Sequence, residues 1–153
     1  MAKKIVIGAD HGGFLLKEKI KTALKKAHYQ IEDVGTDSAA ACDYPRFGFA
    51  VAEKVSKGEA DKGIAICKTG IGMAVIANKY PGVRAGACGS VSDALSARRH
   101  NDTNVLVLAA TKISGRKAMD IARAWLRTKA LGGRHTRRVR QIMELEKKVF
   151  RKL

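Results

Sequence analysis

An apolar run that ends in a cysteine and then breaks into a glycine-bearing turn has chemical consequences, and residues 63–72 (Gly-Ile-Ala-Ile-Cys-Lys-Thr-Gly-Ile-Gly) have that form. Ile64 to Ile66 read as a buried strand that delivers Cys67 to its carboxyl end. Lys68, Thr69, Gly70, Ile71 and Gly72 follow, and from there the chain can continue as a helix. Small residues let backbone N–H groups crowd around an oxyanion, and a helix amino terminus adds partial positive charge. The helix end and Lys68 both favour a thiolate over a thiol. The segment therefore suits a proton-abstracting or nucleophilic cysteine facing an anion hole. It also reads as an ordinary strand-to-helix turn holding an inert small residue.

Other residue pairs carry chemistry with a plain structural reading beside it. Asp10-His11, after an apolar run, can bring a carboxylate and an imidazole to a ligand, or Asp10 can cap the next helix. His100-Asn101 can supply a general acid and an orienting amide, or end a helix with Asn101 left-handed. Arg134, Arg137, Arg138 and Arg140 can clamp a phosphate or form a solvated helix face. Lys112 is most simply a surface lysine. Cys42 and Cys88 read as structural, and Trp125 as apolar packing.

The elements that must position these groups alternate with little waste. Strands are predicted at 4–9, 30–34, 63–66, 83–88 and 104–108. Helices are predicted at about 13–27, 47–55, 71–79 and 91–99, and from an N-cap at Ser114 to about residue 129. A terminal amphipathic helix follows Gly132-Gly133, with Val139, Ile142, Leu145, Val149 and Leu153 on one stripe. Such alternation implies an α/β protein with a mostly parallel sheet covered on both faces, in one domain over residues 1–153. Ligands of open α/β sheets sit outside the carboxyl ends of the strands. The Asp10, Cys67 and His100 clusters are all expected at or near that edge.

Composition narrows the function classes. Three cysteines without CxxC spacing indicate neither a disulfide framework nor a zinc site, and a reducing cytosol suits them. The start, Met1-Ala-Lys-Lys, runs straight into a strand, and no apolar stretch approaches the ~20 residues of a membrane helix. Thirty Lys and Arg against fourteen Asp and Glu give a net charge of +16. That balance attracts polyanions and phosphorylated substrates, but no motif of a specific nucleic-acid reader accompanies it. Residues 63–69 share only Lys-Thr with a P-loop, and residues 10–13 lack the G-x-G-x-x-G order. ATP and NAD chemistry are not indicated.

Five segments in register carry a resemblance: Gly8-Ala-Asp-His-Gly-Gly-Phe14, Asp43-Tyr-Pro45, Cys67-Lys-Thr-Gly-Ile-Gly72, Arg99-His-Asn-Asp-Thr-Asn104 and Gly132-Gly-Arg-His-Thr-Arg-Arg-Val139. Together they resemble the ribose-5-phosphate isomerase B family, which includes galactose-6-phosphate isomerase subunits. The resemblance implies a Rossmann-like three-layer sandwich with a five-stranded parallel sheet and a C-terminal helix. It implies no metal or organic cofactor, and interconversion of ribose 5-phosphate with ribulose 5-phosphate. Cys67 would be the base at C2 and C1, the N–H groups of Lys68 to Gly72 the enediolate hole, and Thr69 a proton carrier between O1 and O2. His100 would open the furanose ring with Asp10 beside it, His135 standing in reserve. Asn101 would hold the sugar, while His11, Arg134 and Arg138 would face hydroxyls or the phosphate. Lys112 would stand in for a phosphate-binding arginine.

Some relatives use a glutamate shortly after the cysteine position. Met73 cannot act as a base, which favours Cys67. Lys68 stands where glycine is usual, and either crowds the loop or adds its ammonium to the anion hole. The family also implies a homodimer or a dimer of dimers with active sites shared between chains, the tail of one subunit reaching the Cys67 loop of the other. The alternatives are an isomerase of a six-carbon aldose phosphate and a non-catalytic anion- or nucleotide-binding module.

Overall fold

The computed structural model describes residues 3–150. Five strands and six helices alternate: β1 (Lys4–Ala9), α1 (Phe14–Lys26), β2 (Gln30–Asp33), α2 (Pro45–Ser56), β3 (Lys62–Cys67), α3 (Ile71–Ala77), β4 (Ala85–Ala87), α4 (Val91–Asn101), β5 (Val105–Ala109), α5 (Gly115–Arg127) and α6 (Arg134–Phe150). All strand pairs are parallel, in the order β2-β1-β3-β5-β4. The α/β class, the parallel sheet and the C-terminal helix are as the sequence predicts.

Side chains along the central strands sort by size as well as by face. Ile5, Ile7, Ile64, Ile66, Leu106 and Leu108 point into one core with α1, α4 and α5, around the fully buried Trp125. Val6, Ala65, Cys67, Val105 and Val107 point into the other, against α2 and α3. Alternate residues of a strand face opposite sides, so one pattern serves two cores. On the second face Val51 of α2 sits over two glycines. A Cβ at Gly8 or at Gly63 would lie 2.7 Å from a Val51 methyl.

Element ends differ from the predicted ones for identifiable reasons. α3 stops at Ala77 because Asn78 turns its amide to the edge strand, accepting from the Ala85 N–H (2.8 Å) and donating to the Ala85 carbonyl (3.0 Å). β4 is shorter than 83–88 because the Arg84 N–H donates to the Asn104 side chain (2.7 Å) instead of to the ladder. Ser114 does cap α5, accepting from the Lys117 N–H. The left-handed residue ending α4 is Asp102, at φ 44°, not Asn101. Leu153, the last residue of the predicted tail stripe, lies outside the described residues. Among the described residues no helix is long and apolar enough to cross a membrane.

Two buried lysines went unread in the sequence. Lys17 is 1% exposed, but the carboxylates of Asp33 and Glu18 meet it. Lys62, 7% exposed, has the Trp125 ring at 5.0 Å and the Arg98, Lys3 and Arg84 charges near it, with Asp102 as the opposing charge. Burial, and then the Arg98 charge, bring the Lys62 amine down to about 8. Folding therefore favours its neutral form. The penalty is complete below pH 8 and disappears as pH rises toward the unfolded value of ~10.4. We predict that Lys62→Met, which keeps the stem on Trp125, raises the melting temperature by several degrees at pH 7. The gain over wild type should shrink between pH 8 and 10. A lower melting temperature at pH 7 would show that the charge stabilises the fold.

Candidate active site

The chain reverses its direction across the sheet between β1 and β3, since β2 lies on one side of β1 and β3 on the other. A crevice opens outside the carboxyl ends of strands at such a point. Asp10-His11 leaves β1 there, and Cys67 closes β3 beside it.

Cys67 is 5% exposed, and its sulfur accepts a hydrogen bond from the Gly70 N–H at 3.2 Å. A donor aimed at sulfur supports negative charge there. The turn that aims it is held from three sides. Gly70 has φ +76°, a left-handed conformation that costs an L side chain. The Lys68 carbonyl accepts from both the Thr111 hydroxyl (2.7 Å) and the Thr111 N–H (3.1 Å). Gly72 lies under the Tyr44 ring, 2.6 Å from where its Cβ would be. The Asp43-Tyr44-Pro45 segment thus seats the turn, and nothing in its residue types signalled that task. The Thr69 hydroxyl accepts from the Ile71 N–H (3.3 Å), which leaves its own hydrogen to donate. α3 has only seven residues, so the local N–H groups matter more than a helix dipole.

Lys68 has an ordinary negative φ and does not strain the loop. Its stem lies over Gly12, where the Cβ of any other residue would collide with the Lys68 Cγ. The side chain thereby bridges the loops carrying Asp10 and Cys67. The Asp10 carboxylate accepts from the Gly13 N–H at 3.1 Å, which closes the turn before α1 but does not cap the helix, since its N-cap is Gly13 without a side-chain bond. Asp10 is 7% exposed beside Cys67. His11 Nδ1 meets the Cys42 backbone, its carbonyl at 3.1 Å and its N–H at 3.2 Å, leaving Nε2 clear of that loop. Cys42, read from the sequence as structural, therefore orients His11 through its main chain. Lys112 follows β5 at this same edge.

The third cluster is not here, contrary to the expectation of one shared edge. α4 runs back against the strands, and His100 and Asn101 are its last residues, before β5 begins. The Gly63 N–H at the start of β3 bonds to the Asn104 carbonyl, whereas Cys67 pairs with Ala109 at the far end of β5. A strand of five residues spans about 16 Å, which separates His100 from Cys67 within one chain.

α6 adds to the His100 side. The Leu131 N–H donates to the Arg99 carbonyl (3.0 Å), and the His135 ring stacks on His100 with centroids 4.5 Å apart and planes at 12°. Arg134 and Arg138, one turn apart, flank His135. Partial desolvation, then the His100, Arg134 and Arg138 charges, hold His135 below the usual histidine value. A cavity of about 310 Å³ remains between the helices, lined by Leu131, Val139 and Met143 among others. Ile142, Leu145 and Val149 on α6 stay 46–61% exposed. The residues predicted for one site thus fall into two groups on opposite edges: Asp10, His11, Cys67 to Gly72 and Lys112 on one, and His100, Asn101, Arg134, His135 and Arg138 on the other.

The architecture is a Rossmann-like α/β fold with a thiol cradled at the carboxyl end of a central strand. Residues 5–142 match the ribose/galactose isomerase family, and the chain belongs to it. It is 42% identical over 146 residues to ribose-5-phosphate isomerase B of Escherichia coli, covering 95% of this chain and 98% of that protein. The structure of ribose-5-phosphate isomerase B from Clostridium thermocellum superposes with a TM-score of 0.93 at 47% identity, over 95% of this chain and 99% of that one. The Mycoplasma genitalium enzyme, solved with bound ribulose-5-phosphate, gives 0.92 at 39% identity, over 96% and 98% of the two chains.

The two other thiols differ in kind. Burial, and then Asp93, push the Cys88 thiol up to about 11. At pH 8 it supplies almost no thiolate, the reactive form. Iodoacetamide at that pH should label half-buried Cys42 and leave Cys88 unmodified until the protein is denatured, as read by peptide mass. Labelling of native Cys88 at the Cys42 rate would contradict its assignment as inert.

Proposed function

We propose that the chain is an aldose–ketose isomerase that interconverts ribose 5-phosphate and ribulose 5-phosphate, with each active site built from two subunits. The carrying observation is the Gly70 N–H directed at the Cys67 sulfur, at the carboxyl end of β3, in a member of this isomerase family. The Cys67 thiolate takes the proton from C2 of the open-chain aldose. The electron pair moves into the C1–C2 bond, and the carbonyl oxygen takes the charge, giving an enediolate. The N–H groups of the Lys68–Gly72 turn stabilise that charge as it develops. Thr69 passes a proton between O1 and O2, and Cys67 returns its proton to C1. The base is thus regenerated and nothing is oxidised or reduced overall.

Ring opening comes first and is assigned to His100 of a second subunit, with Asp10 beside the substrate. The separation of the two groups supports this division, since one chain holds Cys67 and His100 on opposite edges. Arg134 and Arg138 of the second subunit, with His11 and Lys112 of the first, face the phosphate and hydroxyls, and Asn101 holds the sugar. The exposed apolar stripe of α6 supports a homodimer, or a dimer of dimers, as the working unit.

Cys67→Ala is expected to lower kcat by at least ~10³-fold on ribose 5-phosphate, with an unchanged melting curve. Near-normal turnover would move proton abstraction to another group. His100→Asn should impair ribose 5-phosphate far more than a four-carbon aldose phosphate that cannot close a furanose ring. Equal losses would return ring opening to His135. Activity across five- and six-carbon aldose phosphates reads out substrate length.

Mixing two inactive proteins, Cys67→Ala and the Arg134→Ala/Arg138→Ala double variant, tests the shared site. After dissociation and reassociation, each mixed dimer should carry one intact site, and activity should reappear. Continued inactivity with mixed dimers verified by mass would mean that each site is built within one chain.

A further inference from the structure

The charge of +16 is not consumed by the candidate site, and it is not spread evenly. Along α2 and its C-cap, Lys54 is matched to Glu32 and Glu59 and Lys57 to Glu53, which leaves Arg46 as the one cation there without an ion pair to a described carboxylate. The opposite face is different. α1 and α5 lie side by side there, close enough that a Cβ at Gly115 would come within 3.8 Å of the Lys19 ammonium. α1 exposes Lys19, Lys25 and Lys26, and α5 exposes Arg116, Lys117, Arg123 and Arg127. None of these seven forms an ion pair with a described carboxylate. The carboxylates on the same two helices are Glu18, which is occupied by Lys17 and Lys21, and Asp120.

The cations are ordered as well as numerous. Arg116, Arg123 and Arg127 stand at i, i+7 and i+11, which puts them within about 20° of one line running ~16 Å down the helix. Lys19 and Lys26, also seven apart, form a second row on the neighbouring helix, ~10 Å away. We propose that this two-helix face docks the phosphodiester backbone of duplex nucleic acid without regard to sequence. Arginines in a row suit successive phosphates, which guanidinium groups hold through paired hydrogen bonds. The face carries no means of reading bases. The aromatics of these helices are Phe14, half-buried, and Trp125, fully buried, so stacking with single strands has no platform. A membrane surface fits less well, because Leu15 is the one large apolar side chain that these helices expose. None of the seven cations belongs to either group of candidate site residues, so a bound duplex leaves catalysis open.

Fluorescence anisotropy of a labelled mixed-sequence 24-base-pair duplex, in DNA and RNA versions, tests the proposal across a sodium chloride series. Wild-type protein should bind both duplexes with a dissociation constant of about 10⁻⁴ to 10⁻⁶ M near physiological salt. Arg116→Gln/Arg123→Gln/Arg127→Gln should weaken binding by at least ~10-fold and reduce the slope of log K against log salt by about 3. Its melting curve and isomerase activity should match wild type. A control with the same charge change on α6, Arg137→Gln/Arg140→Gln/Lys147→Gln, should keep the wild-type slope. Equal effects of both variants would overturn the proposal by showing that net charge alone acts. So would preferential binding to vesicles of anionic phospholipid, or to single strands over duplexes.

Discussion

A parallel strand and the helix returning from it point in opposite directions, and the placement of every candidate residue follows from that polarity. Groups that leave strands, Asp10-His11, Cys67 to Gly72 and Lys112, gather at the carboxyl edge of the sheet. Groups that end a helix and precede a strand, His100 and Asn101, fall at the amino edge. α6 begins beside them because Leu131 is tied to Arg99, so Arg134, His135 and Arg138 share that edge. No loop movement of ordinary size brings the two sets together within one chain, because the sheet stands between them.

The Cys67 turn shows how much surrounding structure a few N–H groups require. Gly70 supplies the left-handed backbone, Thr111 ties down the Lys68 carbonyl, and the Tyr44 ring lies on Gly72. These supports come from β5–α5, from the segment before α2 and from the turn itself. The small residues on this side of the sheet allow such crowding. Val51 over Gly8 and Gly63 brings α2 close to the sheet, and Tyr44, the N-cap of α2, reaches the turn for the same reason.

Alternation of apolar runs and helical stripes makes the fold legible in the sequence alone, because periods of 2 and 3.6 survive in a single sequence. The Cys67 turn was legible because its residue types are local to one another. The edge assignment of His100 was not. It depends on which end of an element a residue occupies, and a loop between helix and strand looks much like one between strand and helix. The bond between the Cys42 backbone and the His11 ring, the seat that Tyr44 provides and the burial of Lys17 and Lys62 are contacts across 16 to 63 residues or more. No local pattern carries them. Asn78 shows the same limit at small scale, where a tertiary partner, the edge strand, ended a helix that periodicity would continue.

Lys68 and Gly12 constrain each other. A side chain at residue 12 would have to displace the lysine stem that now lies across it, and with it the bridge between the two loops. That contact, and not the backbone, is what favours glycine there, since its φ is not positive. Tolerance at residue 12 is therefore set from a distance in sequence: a smaller residue at 68 would remove the nearest obstacle to a methyl group at 12.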